Sequence, residues 1–137
     1  MNTLRRRFAL ALFTFAWAAL AAAPLDESDK TFLAHYERIR VALYGDNLAA
    51  ARTAAKELPE AQAIAEADSI SAARKAFKAL SARAIALARD RPGYFIAHCT
   101  MFPGGADWVQ TSGRIDNPYW GRSMPHCGTI EEQGETK

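Results

Sequence analysis

Apolar positions recur at helical spacing through the first two thirds of the chain. Phe32, Tyr36, Ile39 and Leu43 follow at steps of four, three and four, with Glu37, Arg38 and Arg40 between them. Such steps place side chains on one face of a helix, so this stretch reads as an amphipathic helix with one buried stripe. Gly45-Asp46-Asn47 supplies a stop and the next N-cap. Leu48, Ala51, Ala55 and Leu58 continue the pattern to Pro59, which interrupts the helix or opens a further turn towards Ala61, Ile64 and Ala65. Asp68 or Ser69 caps the strongest periodic run, Ile70, Ala73, Phe77, Leu80, Ala84 and Leu87, which Arg91-Pro92-Gly93 ends. Short connections favour antiparallel neighbours. The pattern predicts a mainly α protein: a small antiparallel bundle of three or four helices. Phe32, Tyr36, Tyr44 and Phe77 are its expected aromatic core, and His35 lies at the edge of the stripe.

Beyond Arg91 the helical pattern stops. Tyr94 to Ala97 is a short apolar run after Pro-Gly, which fits a strand. Pro103-Gly104-Gly105 and Asn117-Pro118 are turn signals. Met124 to Ile130 reads as a second short strand, and pairing with residues 94–101 would bring their polar and sulfur side chains together. A short irregular or β C-terminal tail, residues 92–131, is therefore expected on the bundle, carrying Cys, Met and His.

The N-terminus changes the charge argument. Arg5, Arg6 and Arg7 precede an apolar run from Phe8 to Leu20 and the small residues Ala21, Ala22 and Ala23. That is the layout of a secretory signal peptide, expected over residues 1–22, with cleavage after Ala21 or Ala22. The run is short for a span, which needs about 20 apolar residues. The whole chain has 17 basic and 15 acidic residues; three arginines and no acid fall in the leader, leaving 14 against 15 and a formal charge of −1. No basic surface for nucleic acid is expected, nor a membrane span after cleavage. Residues 30–131 form one domain, and the expected compartment, the bacterial periplasm, is oxidising.

The candidate chemistry lies in two clusters, HCTMFPGGADW (residues 98–108) and MPHCG (residues 124–128). Along a strand alternate side chains share a face, so Cys99 and Met101 point one way and His98 and Thr100 the other. Cys127 joins its neighbours only if Pro125 or Gly128 bends the chain. Cys99, Met101, Met124 and Cys127 are the favoured ligand candidates, then His126, then His98. Thiolate and thioether donors select Cu(I) over hard cations; two cysteines and two histidines would suit Zn(II). Trp108, Tyr119 and Trp120 are candidate shielding aromatics, since an aromatic face attracts a cation. Two alternatives stay open. Methionine commonly fills core gaps, and Cys99 with Cys127 can form a structural disulfide worth about 3–4 kcal/mol or a redox-switched site. No Cys-x-x-Cys, no phosphate loop and no acid–base spacing appears, so no enzyme is read.

The same residues carry a resemblance. Cys99-x-Met101, Gly105 to Trp108, Ile115 to Gly121 and Met124-x-x-Cys127-Gly128 are similar to the motifs of an uncharacterised periplasmic domain family. That family is found alone and as the C-terminal domain of copper and silver efflux adaptor subunits. The helical half, YERIRVALYGDNLAAARTAAKEL and ARKAFKALSARAIALA, also resembles it, so the likeness covers residues 30–131. It implies heavy-metal handling, of Cu(I) first and of Ag(I) by the same donors. The chain looks like the standalone form, expected to act as a free carrier, scavenger or sensor. Two functions are carried forward: a periplasmic heavy-metal protein linked to efflux or trafficking, and a metal-free, disulfide-stabilised module that docks on an efflux adaptor or another periplasmic protein.

Overall fold

Among the described residues four α-helices come first and three short strands last. The computed structural model describes residues 23–131, and the expected signal peptide lies outside them. Helix α1 is Glu27–Tyr44, α2 Leu48–Ala55, α3 Gln62–Ala65 and α4 Ile70–Ala88. Each long helix starts at a side-chain cap: Asp26 accepts from the Asp29 N–H, Asn47 from Ala50 and Ser69 from Ala72. The turn between α1 and α2 bends at Asp46, with φ 57°, rather than at Gly45. Pro59 opens a 3-10 turn, Pro59–Ala61, that splits α2 from α3. Among the described residues no helix is long and apolar enough to cross a membrane.

Strands β1 (Phe95–Cys99), β2 (Ala106–Gln110) and β3 (Thr129–Ile130) form an antiparallel sheet in the order β2-β1-β3. The bundle-with-tail expectation is corrected here. The protein is mixed α and β, mainly helical, and its last third is a sheet inside a shared core rather than an appended Cys/Met/His tail. Ile96, Ala97, Cys99, Ala106, Trp108, Val109 and Tyr119 belong to the same buried cluster as Phe32, Tyr36, Ile39 and Phe77. The stripe expected on α1 is buried, with Tyr44 only half-buried at its end.

Strand β2 was hidden because it does not alternate. Trp108, Val109 and Gln110 are all buried, so period two is lost, and a Pro-Gly-Gly turn precedes it. Its outer edge would leave N–H and C=O groups without partners inside the protein. Two tyrosines satisfy them: the Tyr36 hydroxyl accepts the Val109 N–H at 3.1 Å, and the Tyr119 hydroxyl donates to the Asp107 carbonyl at 2.9 Å. Both hydroxyls also meet Ser81 of α4, at 2.8 and 3.2 Å. Burial pushes both phenols well above their ordinary pKa, so they stay neutral and keep their protons for these bonds.

Candidate functional site

Pairing and alternation set the face on which each candidate sits. Cys99 opposes Ala106, and Ala97 opposes Trp108, so Cys99 and Trp108 share the more buried face of the sheet. His98 opposes Asp107 on the other face, and their Nδ1 and Oδ1 atoms are 2.5 Å apart. The sequence carried no signal for that contact, because it depends on the register of the unrecognised β2. His98 is thus turned away from Cys99 and occupied.

The second cluster is not a strand over its length. Only Thr129–Ile130 is extended and pairs with β1, Ile130 with Ala97 and Thr129 with His98. Residues 124–127 form a turn, the Cys127 N–H bonding the Met124 carbonyl at 3.3 Å. Gly128 then bends the chain at φ 139°, a conformation that side-chain-bearing residues rarely adopt. A Cβ there would lie 2.7 Å from the His98 carbonyl oxygen and 3.1 Å from the Trp108 ring. Only glycine lets the backbone lie so close to β1.

The result is a pair of free thiols with Cys99 Sγ and Cys127 Sγ 3.6 Å apart. Cys99 is fully buried and Cys127 half-buried. Met101, in the turn after β1, is 60% exposed. Met124 is half-buried at the end of the 3-10 turn Gly121–Ser123. His126 is exposed, its Nδ1 bonded to the Ile115 carbonyl at 2.7 Å. Trp108 is buried beside Gly128, with Tyr119 against its edge at 6.1 Å between ring centroids. Trp120 packs elsewhere, against Phe102. Among the described residues no three His, Cys, Asp or Glu side chains are grouped to hold a metal.

Asn117, which sequence reasoning treated only as part of a turn signal, organises the site. Two helix arginines fix its backbone. Arg40 of α1, clamped by Glu37 at 2.7 and 2.9 Å, donates to the Asp116 carbonyl at 3.0 Å. Arg74 of α4 donates to the Pro118 carbonyl at 2.8 Å. Between them the buried Asn117 side chain accepts the Tyr119 and Trp120 N–H groups at 2.8 and 3.2 Å and donates to the Cys127 carbonyl at 2.7 Å. Burial pushes Cys99 up, but the bonds from Asn117 and from the Phe102 and Met101 N–H groups outweigh it and bring the thiol below its ordinary pKa. Cys127 moves the other way, chiefly because it shares its proton with Cys99.

No family model, no curated protein and no solved structure matches the chain.

Proposed function

We propose that the protein is a periplasmic soft-metal-binding protein, with Cu(I) its principal ion and Ag(I) bound by the same donors. Cys99 and Cys127 are the primary ligands, and Met101 and Met124 complete the site. The observation that carries this reading is the free thiol pair itself, 3.6 Å apart with Cys99 biased towards thiolate. A metal–sulfur bond is about 2.3 Å for thiolates, so both sulfurs can reach one ion without separating. Thioethers are the favoured supplement over the His98 imidazole, which lies on the face of the sheet away from Cys99; His126 keeps its Nε2 free and is the next candidate. That donor set favours Cu(I) and Ag(I) over Zn(II). Met101 supports the same reading: a methionine 60% exposed is not filling a core gap. The leader and the resemblance to copper and silver efflux domains supply the compartment and the link to efflux or trafficking. The expected role is carriage or buffering, not catalysis.

The test is an anaerobic titration of reduced protein with Cu(I) against a chromophoric Cu(I) chelator. One ion per chain should be withheld from the chelator, and Cys99→Ser or Cys127→Ser should abolish that. Copper retention unchanged in both serine variants would refute the site. Fusing residues 1–22 to a reporter active only after export tests the compartment separately.

A further inference from the structure

On another part of the surface, the N-terminal half of α4 forms one wall of an open cleft of about 620 Å³. Clefts that take small ligands span roughly 300–1,000 Å³. Ser71, Arg74, Lys75 and Lys78 line this wall, and their spacing places them on one stripe of the helix. Phe102 and Trp120 form the facing wall, edge to face with centroids 6.2 Å apart. Among the described residues no carboxylate lines the cleft. Arg74 is already committed to the Pro118 carbonyl and to Asp46. Among the described residues neither lysine has an acidic partner; Lys78 instead lies over the Phe102 ring at 5.7 Å. Among the described residues the Trp120 Nε1 is a buried donor with no acceptor, where most buried donors have one.

Two unpaired positive charges facing an aromatic wall call for one kind of occupant. We propose that this cleft binds a small aromatic carboxylate, its ring against Phe102 and Trp120 and its anionic group on Lys75 and Lys78. Such a ligand replaces the weak cation–π contact of Lys78 with a charge-assisted bond. The site is distinct from the thiol pair and does not require metal.

The test is calorimetric titration of the protein lacking residues 1–22, with naphthoate and, in parallel, the neutral analogue naphthamide. Naphthoate should bind saturably, quench indole fluorescence, and bind at least about tenfold more tightly than the amide. The double variant Lys75→Gln, Lys78→Gln should lose about that factor for naphthoate and leave the amide unchanged. Both lysines lie on the helix surface, so the fold should persist, which circular dichroism checks. Absence of saturable binding at millimolar probe, or naphthoate binding that keeps its strength in the double variant, would overturn the proposal.

Discussion

At Asn117 a single buried amide accepts two backbone N–H groups, holds the Cys127 carbonyl and favours the Cys99 thiolate. Groups that orient a metal ligand typically matter by about 10–100-fold in affinity. Asn117→Ala should weaken Cu(I) binding by that order and raise the Cys99 pKa, read as thiolate absorbance against pH. Asn117→Asp should raise it further, because a carboxylate opposes the thiolate. The thiols also make stability depend on pH with two opposite signs. Cys99, lowered in the folded state, adds stability that is present above the ordinary thiol pKa and lost as pH falls through its lowered value. Cys127, raised, contributes stability present below the ordinary pKa and lost as pH rises through its raised value. Stability of the metal-free protein should therefore peak near the ordinary thiol pKa, and in Cys99→Ser the acid side of that peak should disappear and the alkaline side shrink, because the Cys127 shift arises chiefly from Cys99. Urea unfolding across alkaline pH measures it. At Met101 the expectation separates binding from packing: Met101→Ala should change stability by less than about 0.5 kcal/mol while lowering copper affinity.

At the level of elements, the helices were legible because each signal was local. Stripe, cap and stop lie within a turn or two of one another, as at Ser69 and the run from Ile70 to Leu87. The sheet was only half legible. The segment opening at Tyr94 was read as a strand, and its pairing with the region of Met124 to Ile130 is present through Thr129 and Ile130 alone. Strand β2 was missed because burial on both faces removes the alternation that marks a strand, and because its outer edge is satisfied by Tyr36, far away in sequence. The site inherits that blindness. Cys99 meeting Cys127 needs the bend at Gly128, and Asn117 needs two arginines from different helices; neither dependence shows in spacing. Two substitutions test these contacts. Tyr36→Phe should cost about 1–3 kcal/mol by leaving the Val109 N–H unpartnered. Gly128→Ala should cost a similar amount through backbone strain and contact with β1, and should also weaken copper binding, because it moves Cys127. Chemical denaturation and chelator competition read the two effects.

For the whole molecule, the consequence of a shared core is that the half bearing the thiol pair cannot come apart from the helical half. Tyr36 and Phe77, from α1 and α4, stack at 4.9 Å, and Phe77 packs in turn on Tyr119 at 5.7 Å. Cutting the chain after Arg91 should therefore leave no cooperatively folded bundle. In the intact chain, helix content and tryptophan fluorescence should melt in one transition. An ion bound only by the folded state should stabilise all of it, by about 2.7 kcal/mol at a hundredfold excess over Kd. The central claim is that the reduced thiol pair holds a soft metal ion in the periplasm. The most direct measurement is the native mass of the protein recovered from the periplasm of copper-grown cells. A chain starting after Ala21 or Ala22, with one copper on reduced cysteines, is the predicted result. A metal-free chain lighter by two hydrogens would contradict it, since Cys99 and Cys127 would then be a disulfide rather than a ligand pair.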